Sequence, residues 1–221
     1  MPAKNTIRTF VRGGIYHVYN RGVEKRDIFL DEQDYKIFLY YLKTYLTPPS
    51  EKKKTPLNIL RLGPDFDLYK NINLLCHVLM PNHFHFLIKQ NSENAVTELM
   101  KRLTNAYVKY FNEKHQRVGP LFQGRYKAVL VLKDDYLVHL SFYIHVNPIE
   151  LARFSDIKEL ENYPYSSYPD YIGKRSTSWV YKDYVLNYIE KDKFATYKKL
   201  TERFALESDK YKKVLGSLLL E

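Results

Sequence analysis

Leu74-Leu75-Cys76-His77-Val78-Leu79-Met80-Pro81-Asn82-His83-Phe84-His85-Phe86-Leu87-Ile88-Lys89-Gln90 is the stretch on which the fold turns. Two short apolar runs, Leu74 to Met80 and His83 to Ile88, are separated by Pro81-Asn82, the punctuation expected between adjacent strands. Side chains alternate along a strand, so His83 and His85 emerge on one face while Phe84 and Phe86 emerge on the other. Neutral imidazole is a common ligand for divalent transition metals, and residues i and i+2 of a strand can both reach one ion. Taken alone the pair has two readings, a metal site or an ordinary strand with one exposed face.

Towards the N-terminus, Gly13 to Gly22 reads as a strand led in by glycines and closed by Asn20-Arg21-Gly22. Ile15, His17 and Tyr19 share one of its faces, with Tyr16 and Val18 on the other. After a basic loop holding Lys25 and Arg26, Tyr35, Phe38, Leu39, Leu42 and Leu46 mark an amphipathic helix over Asp31 to Leu46 with an acidic first turn. Thr47-Pro48-Pro49-Ser50 ends it. The lysines at 52, 53 and 54 and the prolines at 56 and 64 then read as a solvated loop or small insertion, with DNA contact the competing reading of the lysine run.

Towards the C-terminus, Val96, Leu99, Leu103, Ala106, Tyr107, Tyr110 and Phe111 predict a second helix from Ala95 to about His115. Gly119-Pro120-Leu121-Phe122-Gln123-Gly124-Arg125 is a turn-rich connector into a fourth strand, Tyr126 to Leu132. Strand-helix-strand-strand-helix-strand is the split β-α-β arrangement. The expected fold class is therefore α+β, a ferredoxin-like (RRM-like) antiparallel sheet with helices on one face and the other face open to a ligand. A third helix, Tyr136 to about Val146, is capped by Asp134-Asp135 and stopped by Asn147-Pro148. Along it His139, Tyr143 and Asn147 recur at i+4 and line one side. Tyrosine hydroxyl has a pKa near ~10 and needs a cation or base close by to act as a nucleophile. A packing role for Tyr143 is the alternative.

Charge and composition narrow the partners. There are 35 Lys and Arg against 25 Asp and Glu, a net charge of +10, with 21 tyrosines and 12 phenylalanines interleaved. Basic surface attracts polyanions and aromatic faces stack unpaired bases, so nucleic acid is the favoured partner. A merely basic composition heavy in Lys, Tyr, Ile and Asn is the competing explanation. The start of the sequence has no secretory pattern and no run reaches membrane-spanning length, so the expectation is a cytoplasmic protein with no membrane partner. The single cysteine, Cys76, argues against a disulfide framework and against a cysteine zinc site, and reads as core.

Joined in order, Pro81-Asn82-His83-Phe84-His85-Phe86-Leu87-Ile88, Gly119 to Tyr126, Tyr143-Ile144-His145-Val146-Asn147-Pro148 and Tyr163-Pro164-Tyr165-Ser166-Ser167-Tyr168 resemble the single-tyrosine HUH transposases (IS200-like). Within them the REP-associated tyrosine transposases are most similar, and the resemblance covers about residues 10 to 172. It implies a transposase domain over 1–172, and the apolar spacing beyond it gives a helical C-terminal extension over 173–221. It also implies Mg²⁺ or Mn²⁺ held by His83, His85 and Asn147, and Tyr143 as the nucleophile. The implied activity is cleavage and rejoining of single-stranded or hairpin DNA through a 5′-phosphotyrosine. Arg21, Arg102, Lys109, Arg125 and Lys127 are candidate phosphate contacts, with solvated-surface roles competing. Phe122 and Tyr126 are read either as base-stacking or as core residues. His139 and His145 are open candidates for a base or for surface and supporting roles. A monomer or a homodimer is compatible with the sequence. The extension, from Trp179 to Glu221, suggests three short helices, packed on the core or forming a small DNA-binding appendage. The alternative function is a non-catalytic, RRM-like nucleic-acid-binding module.

Overall fold

In the computed structural model, residues 10–48, 68–132, 134–151, 156–189 and 192–207 are described. The lysine run at 52–54, the prolines at 56 and 64 and the third helix expected beyond residue 207 lie outside them.

Four strands, β1 (Ile15–Arg21), β2 (Ile72–Met80), β3 (His83–Gln90) and β4 (Lys127–Leu130), form one antiparallel sheet in the order β2-β3-β1-β4. The turn at Pro81-Asn82 fixes the β2–β3 hairpin, with Met80 opposite His83. β1 lies against β3 with Arg21 opposite His83 and Tyr19 opposite His85, and Tyr19 is also opposite Lys127 of β4. Alternation therefore gathers His17, Tyr19, Arg21, His83, His85 and Lys127 on a single face.

Helices α1 (Glu32–Leu46) and α3 (Ala95–Lys114) cover the opposite face. Phe38 meets Phe84 and Phe86 with ring centroids 5.5 and 6.2 Å away, and each fully buried phenylalanine contributes about 1.5–3 kcal/mol. Asp31 caps α1, its carboxylate accepting from the Asp34 N–H. Asp34 is itself buried and accepts from the Leu30 N–H, from Lys114 at 2.8 Å and from Tyr110, with His115 Nε2 at 2.9 Å. Burial raises the pKa of its carboxyl, but the hydrogen bonds led by Lys114 outweigh that and hold it below the usual carboxylate range. This cluster pins the start of α1 to the end of α3.

The face expected to be open carries α4 (Asp134–Val146). The helix begins at Asp134, two residues earlier than expected, so the acidic pair lies within it instead of preceding it. Leu137, Leu140, Phe142 and Ile144 are buried on more than one side, because the helix is held between the sheet and α7 (Lys193–Leu206). Phe142 touches Tyr197 and Phe204 of α7 at 5.0 and 5.8 Å between ring centroids. Asn147 and Pro148, where the helix was expected to stop, open a 3-10 turn, Asn147–Glu150. Short helices α2 (Leu68–Asn71), α5 (Tyr168–Tyr171) and α6 (Asp183–Leu186) fill the margins.

Strand β2 would be an exposed edge, a template for pairing with another chain. The segment after α4 seals it: Leu79 N–H donates to Tyr165 O, Ser167 N–H to His77 O, and Tyr181 N–H to Leu74 O. Among the described residues, no helix is long and apolar enough to cross a membrane.

Candidate active site and metal centre

His83 and His85 lie on β3 under α4, 7% and 0% exposed, with ring centroids 5.0 Å apart. Burial pushes the pKa of His83 down to about 4, aided by Arg21 and opposed by a hydrogen bond to Asn147. For His85 burial again dominates, followed by the charges of His17, His83 and Arg21, and its pKa falls well below the usual histidine value. Both imidazoles are therefore neutral at pH 7 and offer lone pairs.

Asn82 stands beside the first of them, its Oδ1 2.6 Å from His83 Nδ1. With Nδ1–H as the donor, the lone pair is on Nε2, which points at Asn147 Oδ1 3.4 Å away. Asn147 reaches this position because it starts the 3-10 turn, and its Nδ2 donates to Tyr143 O at 2.8 Å, which aims Oδ1 at the imidazole. Two acceptors then face each other. Adjacent oxygen ligands of an octahedral Mg²⁺ at about 2.1 Å lie about 3 Å apart, so the spacing suits a shared cation. On His85, Nδ1 lies 2.8 Å from His17 Nε2, and Nε2 is buried without a partner. An orphaned imidazole nitrogen next to two facing acceptors is a donor set that fits a divalent ion.

Tyr143 projects from α4 towards the same pair. Its ring stands edge-on to His85 and His17, with centroids 5.6 and 6.3 Å away and interplanar angles of 82° and 83°. It is half-buried. Tyr143, His83, His85 and Asn147 thus converge.

The expected phosphate contacts divide. Arg21 ends β1 directly opposite His83, and its Nε is buried with no hydrogen-bond partner. Lys127 is on the same face, its Nζ 5.9 Å from the Tyr19 ring. Arg125 is exposed in the connector and, with Asn20, Lys101, Phe122 and Tyr126, lines a cavity of about 670 Å³ at the end of the sheet. Arg102 and Lys109 are on α3, across the sheet from the imidazoles, beside Glu98 (3.6 Å) and Glu113 (3.8 Å) respectively. Phe122 and Tyr126 are both largely buried, at 7% and 8% exposure, and belong to the core. His145 has both ring nitrogens engaged, Nδ1 with Tyr197 at 2.7 Å and Nε2 with Ser167 at 2.8 Å, and is wholly buried. His139 is half-buried, 6.1 Å from Phe142 between ring centroids. Cys76 is wholly buried, and burial raises its thiol pKa well above the usual range, which removes it as a nucleophile.

His17 and Asn82, whose side chains bond to the imidazoles, and Tyr19, whose ring lies 5.8 Å from that of His85, were not singled out from the sequence as parts of the site. Asn82 was read only as a turn residue. For His17 the available signal was its place on the Tyr19 face of β1.

A ferredoxin-like sheet with a histidine pair beneath a tyrosine-bearing helix is the class that fold and site define. Residues 60–147, which include His83, His85, Tyr143 and Asn147, match the family model described as "Transposase IS200 like". Among solved structures, the chain is similar to a REP-associated tyrosine transposase bound to a REP hairpin, at 14% identity and a TM-score of 0.48, covering 79% of this chain and 94% of that one. It is also similar to a protein described as a candidate transposase from Deinococcus radiodurans R1, at 15% identity and a TM-score of 0.37, covering 63% and 94% of the two chains. A comparison with curated proteins returned no match.

Proposed function

We propose that this chain is a divalent-metal-dependent transposase that cleaves and rejoins single-stranded or hairpin DNA through a 5′-phosphotyrosine at Tyr143. The observation carrying the reading is the meeting, in one chain, of the Tyr143 ring with a buried neutral imidazole pair, His85 Nε2 having no hydrogen-bond partner and His83 Nε2 facing the Asn147 amide oxygen. His83, His85 and Asn147 would hold Mg²⁺ or Mn²⁺. When bound, the ion would polarise the scissile phosphate and offset developing negative charge.

The chain's own residues account for the rest. Arg21, with no carboxylate partner among the described residues, and Lys127 share the sheet face of the imidazoles and would hold the phosphates flanking the scissile one. The Tyr143 phenol loses its proton and its oxygen bonds to phosphorus. The bond from phosphorus to the 3′ oxygen breaks, and that oxygen takes up a proton and leaves as a free hydroxyl. Because one phosphoester replaces another, the ester energy is retained and a second 3′ hydroxyl can reverse the step, so rejoining needs no nucleotide cofactor.

The test uses labelled hairpin oligonucleotides, Mn²⁺ and a denaturing gel. Wild type is expected to give a protein–DNA adduct and Tyr143→Phe none, while both bind the hairpin equally. Absence of adduct on hairpins that the wild type binds, or equal adduct from Tyr143→Phe, would leave the non-catalytic nucleic-acid-binding module as the reading.

A further inference from the structure

His17 is wholly buried on β1, diagonal to His85 across the strand pair, because its Cα partner on β3 is Leu87. Its Nε2 lies 2.8 Å from His85 Nδ1, and the rings are nearly parallel, 18° apart with centroids at 5.0 Å. One proton is shared across that contact, and its owner decides what His85 can do. If His17 Nε2–H donates, His85 Nδ1 accepts and the proton of the neutral His85 ring is on Nε2, a buried N–H with no partner. If His85 Nδ1–H donates, Nε2 carries a lone pair directed into the site. Orphaned buried N–H groups are rarer than orphaned acceptors, and only the second arrangement leaves a nitrogen able to bind a cation.

We infer that His17 is a positioning residue which, by accepting a hydrogen bond from His85 Nδ1–H, locks His85 in the tautomer whose Nε2 lone pair faces the cation site. The inference rests on the metal centre proposed above and assigns a role to a side chain outside the His83, His85 and Asn147 set. It parallels the part Asn82 plays for His83, so each imidazole has a neighbour on its Nδ1. Such supporting hydrogen bonds fix ring orientation and raise ligand basicity, and losing one typically lowers metal affinity about 10- to 100-fold.

Two measurements test it on the full chain. In ¹⁵N-histidine-labelled protein without metal, long-range ¹H–¹⁵N spectra, with His85 assigned by the signals lost in His85→Ala, should show Nδ1 protonated and Nε2 bare. An Nε2-protonated His85 would overturn the inference without any variant of His17 having to fold. Calorimetric titration with Mn²⁺ should then show His17→Phe about 10- to 100-fold weaker than wild type, with His17→Gln, whose amide oxygen can accept, partly restored. Equal Mn²⁺ affinity for wild type and a folded His17→Phe would overturn the role of His17 and leave the metal centre standing. No Mn²⁺ uptake by the wild type would overturn the metal centre itself and the inference with it.

Discussion

Arg21 combines a buried Nε with a charge that has no acidic neighbour among the described residues, and it stands opposite His83. A guanidinium without an acidic partner among the described residues can take an external acceptor, and phosphate oxygens match it in charge and geometry. Arg21→Ala is expected to weaken hairpin binding and to lower the slope of log affinity against log salt by about one, as loss of one phosphate contact does. Binding isotherms at several salt concentrations check this, and an unchanged slope would return Arg21 to a structural role. At this scale much of the site was legible. His83 and His85 share a face by strand alternation alone, and Tyr143 and Asn147 share one by helical period. His17 was not, because a lone histidine in a strand acquires meaning only when the register places it 2.8 Å from another, and register between distant strands is not written locally.

Helix α4 is the element whose placement the sequence left open. Its apolar residues are not confined to one stripe, so periodicity marks a helix without saying which side meets the sheet. The answer comes from α7, beyond the segment that the resemblance covers. His145 and Ser141 of α4 both bond to the Tyr197 hydroxyl, at 2.7 and 2.9 Å, in a fully buried setting. Tyr197→Phe leaves buried His145 Nδ1 without its partner, while Ser141 Oγ keeps its bond to Val138 O, and is expected to cost about 1–3 kcal/mol of stability, read from the urea midpoint of unfolding. A shift of only a few tenths would mean that α7 does not fix α4 through this network. At the other end of the sheet, Gly22 makes a close approach of a different kind. A Cβ there would sit 2.1 Å from Arg26 O, so the turn that releases Arg21 from β1 has no room for a side chain.

For the whole molecule, acid weakens the core through its buried histidines. His77 is buried against Trp179, with ring centroids 5.5 Å apart, and burial with help from Arg175 pushes its pKa down to about 3. In the unfolded chain it would titrate at 6.5, so between those values the unfolded state binds more protons. Its contribution is fully present above 6.5 and is lost as pH falls, at about 1.4 kcal/mol per pH unit. From pH 6.5 to 5 that amounts to about 2 kcal/mol, so the drop in urea-derived stability between pH 7 and 5 should be about 2 kcal/mol smaller in His77→Phe. His145 is shifted in the same direction by burial and steepens the fall further.

The fold class and its element order were readable because each strand and helix carries its own period. What joins residues 173–207 to the rest was not, since Trp179, Val180, Val185, Leu186, Tyr197 and Phe204 enter the same core as the sheet through contacts distant in sequence. That arrangement bears on how the molecule meets its target. The Tyr143 ring and the imidazoles it meets belong to one polypeptide, so on the proposed function the candidate nucleophile and the candidate metal ligands come from the same subunit.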